Sequence, residues 1–337
     1  MTILITGGAG FIGSNFIPYF LEQHKNSHII NLDKLTYAGE LSNLKDIENN
    51  ECYTFVKGDI CDRALIEKLF KIHDFKGVIH FAAESHVDNS IEKPDDFIKT
   101  NVLGTFNLID AAKNHWMEAP FKVKKGYENC RFHHISTDEV FGTLGDIGLF
   151  TEDTPYAPNS PYSASKASSD FVVRSYFHTY GLNVVTTNCS NNYGPKQHDE
   201  KLIPTIIRKA LKGENIPIYG DGTNIRDWLY VLDHCVGVDL VYQKGTSGEV
   251  YNIGGNNERN NIYIANTICN ILDELLPKKT SYKEQITFVK DRPGHDFRYA
   301  IDASKIENKL GWKASENFES GIKKTVHWYL KKYSEVG

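Results

Sequence analysis

Thr2-Ile-Leu-Ile-Thr6 runs straight into Gly7-Gly-Ala-Gly10-Phe-Ile-Gly13. A short apolar, β-branched run predicts a buried parallel strand. The apolar-periodic stretch from Phe16 to Leu21 predicts a helix after the glycines. Glycines at 7, 10 and 13 leave room for a tight turn, for a pyrophosphate lying against the backbone, and for close helix–strand packing. The first turn of that helix offers free N–H groups and a partial positive charge to the pyrophosphate. A glycine-rich loop means little alone; strand before and helix after are the context that gives it meaning. The next apolar run, His28-Ile-Ile-Asn-Leu-Asp33, ends on a carboxylate 20 residues beyond Gly13. That spacing suits the adenosine ribose hydroxyls, and the charge would repel the extra phosphate of NADP. NAD is the expected cofactor; the competing reading of Asp33 is a turn cap.

Outward from this unit, strand and helix signals alternate to about Ser190. Further strands are expected at 53–56, 77–81, 131–135 and 183–188, and helices at 64–72, 94–114 and 161–180. Alternation of this kind predicts an α/β fold, a doubly wound parallel-sheet Rossmann domain with right-handed crossovers. Ligands bind such sheets at the carboxyl ends of the strands, where Gly7, Asp33, Asp59, Ala82-Ala-Glu-Ser85, Ser136–Glu139 and Asn188-Cys-Ser-Asn-Asn192 all fall. After Asn192 the chain becomes turn-rich. The expected division is a Rossmann domain of residues 1–190 and 221–254, and a smaller mixed α/β substrate lobe of 191–220 and 255–333. In that scheme Trp228-Leu-Tyr-Val231 and Glu249-Val-Tyr-Asn-Ile253 return to the main sheet.

The chain has 337 residues, enough for a large core in two lobes, with 40% hydrophobic and 24% charged residues. A net charge of −5 argues against general nucleic-acid binding, which needs a basic face. No uninterrupted apolar run could span a bilayer, and Met1 leads almost directly into a core strand, so neither a membrane partner nor a targeting leader is expected. Six cysteines form no close pair or metal-type cluster, which fits reduced thiols of a cytoplasmic protein and no metal site.

Two strings carry chemistry. In Tyr162-Ser-Ala-Ser-Lys166 a lysine stands one helical turn from a tyrosine, where its charge favours the phenolate that hydride transfer from an alcohol requires. In Ser136-Thr-Asp-Glu139 two adjacent carboxylates follow a strand end. Carboxylates sharing a dry site have their pKa values driven apart, so one acid and one base become available. A redox pair beside an acid–base pair suggests oxidation coupled to elimination. The residues alone leave open which carboxylate is the acid. The plainer alternatives are a solvated Asp-Glu loop, and a packed Tyr with a surface Lys. An anionic diphosphate would need local cations, for which Arg226, Lys201 and Arg292 are candidates, with Asn191 as a neutral donor; Arg226 could instead pair with Asp227. Tyr219 could stack on a base, Ser85 touch substrate or cofactor, Asp59 and Ile60 flank the adenine, and Thr100 reach the cofactor; Asp59 could equally cap the next helix.

Gly7-x-x-Gly10-x-x-Gly13 together with Tyr162-x-x-x-Lys166 resembles the extended short-chain dehydrogenase/reductase family of nucleotide-sugar enzymes. Asp33-Lys-Leu-Thr-Tyr-Ala-Gly39, His134-Ile-Ser-Thr-Asp-Glu139 and Asp291-Arg-Pro-Gly-His295 narrow the resemblance to its dTDP-glucose 4,6-dehydratase branch, from about residue 2 to about 333. The resemblance implies a lyase that oxidises C4 of a nucleotide hexose, eliminates water across C5 and C6, and returns the hydride to C6, with tightly bound NAD regenerated each turnover. Its product, a 4-keto-6-deoxyhexose, feeds rhamnose and other deoxysugars. The resemblance makes Thr137, Asp138, Glu139, Tyr162 and Lys166 catalytic, Asp138 being the acid and Glu139 the base. It places Phe11, Ile12, Lys34, Leu35, Thr36, Phe81, Ala82, Ala83 and Asn192 on the cofactor, with the glycines, Asp33, Asp59, Ile60, Ser85 and Thr100. It places Leu202, Pro217, Ile218, Asn261, Asp291 and His295 on the substrate, with Ser85, Thr137, Asn191, Lys201, Tyr219, Arg226 and Arg292. Thymidine as the base, and a homodimer through a four-helix interface built from 94–114 and 161–180, are likewise implied. The alternatives are another nucleotide-sugar enzyme, a 4-epimerase or a decarboxylase, and a non-catalytic NAD-binding regulator on the same fold.

Overall fold

In the computed structural model, which describes residues 1–291 and 293–334, the opening run is strand β1 (Thr2–Thr6), followed by helix α1 (Phe11–Gln23), β2 (His28–Asp33), β3 (Tyr53–Lys57), α2 (Arg63–Ile72) and β4 (Phe75–His80). Next come α3 (Val87–Glu92), α4 (Pro94–Phe97), a π-type turn over Ile98–Gly104, α5 (Thr105–Trp116), a short hairpin of β5 (Met117–Ala119) and β6 (Lys122–Val123), and β7 (Arg131–Thr137). Then follow α6 (Pro161–Tyr180), β8 (Val184–Cys189), β9 (Asn191–Tyr193), α7 (Leu202–Lys212), β10 (Ile216–Tyr219), β11 (Ile225–Tyr230), α8 (Val231–Lys244) and β12 (Val250–Ile253). The chain ends with β13 (Glu258–Asn260), α9 (Asn261–Leu275), β14 (Ile286–Val289), α10 (Ser304–Leu310) and α11 (Phe318–Ser334).

Seven strands form one sheet in the order β12-β8-β7-β4-β1-β2-β3, every neighbouring pair parallel. Side chains alternate across a strand, so β1 sends Ile3 and Ile5 into a core with Phe16 and Phe20 of α1 and Val238 of α8, and Leu4 into a second core with Ile66 of α2, Leu108 of α5 and Val173 of α6. This is the doubly wound Rossmann arrangement, and it explains why β1 reads as uniformly apolar. A third core joins α7, α9 and α11 around Tyr193, Trp228 and Tyr230 in the smaller lobe. That lobe carries the sheet β13-β11-β9 and the parallel pair β10-β14.

Three features differ from the expectation. The strand at 225–230 does not enter the main sheet: β11 pairs with β9 and β13, since Trp228 and Tyr230 lay their rings against Tyr193, with centroids 6.2 and 5.7 Å away. The chain returns to the large sheet only with α8 and β12. Conversely, α10 packs Ile306 into the first core beside Trp312, although residues 255–333 are expected on the smaller lobe. Finally, the helix expected at 94–114 is interrupted by the π-type turn. There Asn101 accepts the Glu84 N–H at 2.8 Å and donates to the Glu84 carbonyl at 3.0 Å. One extra residue in the turn keeps that amide pointing inward, an insertion that apolar periodicity does not reveal.

Helix α6 starts where its sequence says it should. Ser160 accepts the Ser163 N–H, Ser163 reciprocates, Pro161 takes the first helical position, and Gly181 closes the helix at φ +72°. Among the described residues no helix is long and apolar enough to cross a membrane, no group of three or more side chains is placed to hold a metal ion, and all six cysteines are free.

Candidate active site

The glycine turn forms the floor of a cleft of about 310 Å³ at the carboxyl ends of β1, β2, β3, β4, β7 and β8. Gly7 sits at φ +74°, and a Cβ there would lie 2.5 Å from the Ala82 nitrogen. A Cβ on Gly13 would lie 2.4 Å from the Gly7 carbonyl oxygen. Gly10 caps α1, whose first N–H groups face the cleft without side-chain competition. Asp33 accepts the Ala9 N–H at 2.9 Å and the Leu35 N–H at 2.8 Å, so it braces the turn from the end of β2; burial pushes its carboxyl up. These residues fit a dinucleotide: a backbone cradle any Cβ would fill, a helix N-terminus, and a cleft-lining carboxylate at the end of the neighbouring strand. Phe11, Ile12, Lys34, Thr36, Asp59, Ile60, Phe81, Ala82, Ala83, Ser85, Thr100 and Asn192 line the same cleft. Leu35 packs onto the first core instead. Asp59 pairs with Lys34 at 2.8 Å, and the helix cap falls to Asp62, which accepts the Leu65 N–H at 3.0 Å.

Across the cleft, β7 runs two residues further than expected and delivers Ser136 and Thr137 to its end. Asp138 and Glu139 follow in a 3-10 turn (Asp138–Phe141). Helix α6 lays Tyr162 beside them, where its phenol feels Thr137, Asp138 and Glu139. Glu139 is half-buried on the cleft wall, and its backbone N–H donates to the Thr137 hydroxyl at 3.3 Å. Asp138 is 1% exposed; Thr137 donates to its Oδ1 at 3.4 Å, and Oδ2 has no partner among the described residues. Burial first, and then the Glu139 charge, push the Asp138 carboxyl well above the usual range. Burial and Glu139 likewise push the Tyr162 phenol up. Lys166 lies behind the wall, donating to the Ile135 carbonyl at 2.7 Å, and burial draws its pKa down. The Asp-Glu pair is therefore no solvated loop, and Lys166 no surface lysine.

Nine of the residues expected on the substrate fall into two groups. Ser85, Thr137, Asn191 and Lys201 line the cleft, with Lys201 donating to the Ser85 carbonyl at 3.0 Å and Leu202 half-buried at the start of α7. Pro217, Tyr219, Asp291 and His295 cluster on the smaller lobe, outside the cleft lining. The Tyr219 hydroxyl donates to Asp88 at 3.3 Å, its ring meets that of His295 at 6.3 Å, and His295 Nδ1 lies 2.6 Å from Asp291. Ile218 is buried in the third core, so only its backbone can face a ligand. Asn261 opens α9, half-buried. Arg226 lies 4.1 Å over the Tyr299 ring and donates to the Asp296 carbonyl at 2.9 Å, while Asp227 accepts the Gly255 and Asn257 N–H groups at 2.9 and 2.7 Å. Arg292 lies outside the described residues.

Glu84, Cys189, His198 and Glu200 also line the cleft. The first two stand inside strand-end strings whose position marked them; the last two had no signal beyond proximity. Tyr299, whose phenol bonds to Asp296 and feels the Glu139 charge, lies 160 residues along the chain from Glu139 and nothing local announces it.

The sequence profile described as GDP-mannose 4,6 dehydratase matches residues 4–325. A dTDP-glucose 4,6-dehydratase of Shigella flexneri is 55% identical over 98% of this chain and 93% of its own length, and one of Escherichia coli K12 is 54% identical with the same coverage. The crystal structure of a Bacillus anthracis dTDP-glucose 4,6-dehydratase in complex with NAD is similar with a TM-score of 0.87 at 46% identity, covering 99% of this chain and 98% of that one. A Thermotoga maritima UDP-glucose 4-epimerase also superposes, with a TM-score of 0.85 at 28% identity over 99% of this chain and all of that one. Near full-length identity of this order, on top of the glycine cradle, the Tyr162–Lys166 pair and the buried Asp138–Glu139 pair, shows that the chain belongs to the dTDP-glucose 4,6-dehydratase family.

Proposed function

We propose that this chain binds NAD and converts dTDP-glucose to its 4-keto-6-deoxy sugar with loss of water. The observation that carries the reading is Asp138: a carboxyl group sealed from solvent, adjacent to a cleft-facing Glu139 and to Tyr162. The likeness to an epimerase means that the fold does not choose the reaction. An epimerase has no use for two acids, and a decarboxylase would need a cation for a C5 carboxylate. The Gly7–Gly13 turn and Asp33 would hold NAD, which would supply the acceptor for the C4 hydride and the donor for its return to C6. Tyr162 removes the 4-hydroxyl proton while Thr137 hydrogen-bonds the 4-oxygen. Burial and Glu139 oppose the phenolate in the chain itself, so the charge of Lys166 and of the bound cofactor must offset them. With C4 oxidised, the proton on C5 is acid enough for Glu139 to remove. Asp138, whose burial keeps it protonated, gives its proton to the departing 6-hydroxyl, which leaves as water.

Arg226, Lys201 and Asn191 supply donors for the diphosphate, with Arg292, and Tyr219 a face for the base. The two lobes correspond to cofactor and sugar-nucleotide, with residues 221–230 on the smaller lobe and 303–312 on the larger. A homodimer is supported by exposed Ile98, Leu103, Phe106 and Phe171 on the adjoining π-type turn, α5 and α6. Six free cysteines fit a cytoplasmic site of action. The test is incubation of the NAD-loaded protein with dTDP-, UDP- and CDP-glucose. A 4-keto chromophore in alkali without net NADH is expected with dTDP-glucose; its absence there would overturn the assignment.

A further inference from the structure

Beneath the catalytic pair lies a carboxylate the mechanism above does not use. Tyr162, Lys166 and Asp170 fall at successive turns of one face of α6. Asp170 is buried and is held three ways: its Oδ1 lies 2.9 Å from His134 Nε2, and its Oδ2 accepts Ser136 Oγ at 2.8 Å and the Tyr156 hydroxyl at 3.0 Å. Lys166 takes the carbonyl of Ile135, which lies between them. Three consecutive residues of β7 are thus clasped by two side chains of one helix, immediately before Thr137, Asp138 and Glu139. We propose that Asp170 is the buried counter-charge of Lys166 and the anchor of this strand end, and so a positioning residue for hydride transfer. The proposal rests on Tyr162 and Lys166 being the hydride-transfer pair.

The surroundings leave Asp170 this role. From β4 and β7, His80 and His134 stand with ring centroids 5.5 Å apart, and burial together with the Lys166 charge drives both imidazoles neutral. From β8, burial pushes the Cys189 thiol up to about 12, and the buried Asn188 carries no charge. From the π-type turn, Asn101 donates to Ser165 at 2.8 Å and carries no charge. Asp170 itself, pushed up by burial to about 6, is an anion above that pH, and its charge counteracts the loss of the Lys166 proton.

The experiment follows single-turnover reduction of bound NAD by dTDP-glucose across pH in the holoenzyme, for wild type, Asp170→Asn and Asp170→Glu. The alkaline limb marks loss of the Lys166 proton. Asp170→Asn should move that limb down by about one to two pH units. Asp170→Glu should leave it in place, and below about pH 6 wild type and Asp170→Asn should converge. In a Lys166→Met background, Asp170→Asn should add no further loss, because both act through one charge. A rate depressed equally at every pH with the limb unmoved, or additive losses in the double variant, would overturn the proposal. Should Asp170→Asn lose its melting transition or its NAD, Asp170→Ser, which leaves space for water among the three donors, takes its place. A substrate-free readout separates this inference from the proposed reaction: magnetic-resonance titration of isotope-labelled lysine side chains in the holoenzyme, with Lys166→Met giving the assignment. Lys166 titrating at the same pH in wild type and in Asp170→Asn would refute the counter-charge even if the reaction were a different one.

Discussion

Asp138→Asn should make the protein more stable and nearly inactive in elimination at once. In the native fold Asp138 is sealed from water with one unpartnered oxygen, and burial and Glu139 hold its carboxyl well above the ordinary range. In the unfolded chain it titrates near about 3.9. A group whose folded pKa is raised contributes stability that is complete below the unfolded value and is lost as pH rises toward the folded value. Each unit of that displacement is about 1.4 kcal/mol. Around neutrality the native state must keep a proton that the unfolded chain releases. Asn has the same shape and is neutral at every pH, so it removes this cost, to which burial and the Glu139 charge both contribute. Urea unfolding should give similar stabilities for variant and wild type near about pH 4 and a gain of roughly 1–3 kcal/mol for the variant near about pH 7.5. The transferable proton is gone, however. General acid catalysis is worth about 10²- to 10⁴-fold, or roughly 2.7–5.5 kcal/mol of barrier. Reduction of bound NAD by dTDP-glucose should persist while the 4-keto-6-deoxy product falls by that factor. A variant less stable than wild type at neutral pH, a gain that ignores pH, or product formed at the wild-type rate would refute the reasoning.

Gly13→Ala places a Cβ 2.4 Å from the Gly7 carbonyl oxygen and 2.7 Å from the Gly8 Cα, both backbone, so the cradle must open. The variant should fold but purify with less than about a tenth of the wild-type NAD content, a loss of roughly 1.4 kcal/mol or more of binding; unchanged NAD content would count against the cradle. Phe171→Glu puts a charge on a ring that is 58% exposed and follows Asp170 on α6. Sedimentation should show a dimer for wild type and a monomer for the variant, and a dimer of unchanged strength in the variant would remove α6 from the interface.

The cofactor half of the site was legible because its signals are local. Gly7, Gly10 and Gly13 answer to backbone contacts within one strand–turn–helix unit, and Asp33 follows at the end of the very next strand, so spacing along the chain is nearly spacing in the fold. The Tyr162–Lys166 pair is likewise one turn of one helix. The parallel sheet followed from the alternation of apolar runs. The sequence was misleading where a local signal had two tertiary outcomes. The strand at 225–230 has the texture of a buried strand, and its partners, β9 with Tyr193 and β13, lie outside the large sheet. The π-type turn is invisible because one inserted residue barely alters the periodicity of a helix.

By itself, then, the chain marked the candidates for chemistry: the dinucleotide cradle, the phenol with its lysine, and two neighbouring carboxyl groups. Only the tertiary structure decided their charge states and their company. Burial and the Glu139 charge raise the Asp138 carboxyl while Glu139 keeps the cleft; Asp170 backs Lys166, and Tyr299 comes within reach of Glu139 from the far end of the chain. The physical reason is that hydrogen-bonded turns and periodicity depend on near neighbours in sequence, whereas desolvation and Coulomb interactions depend on everything within a few ångströms in space.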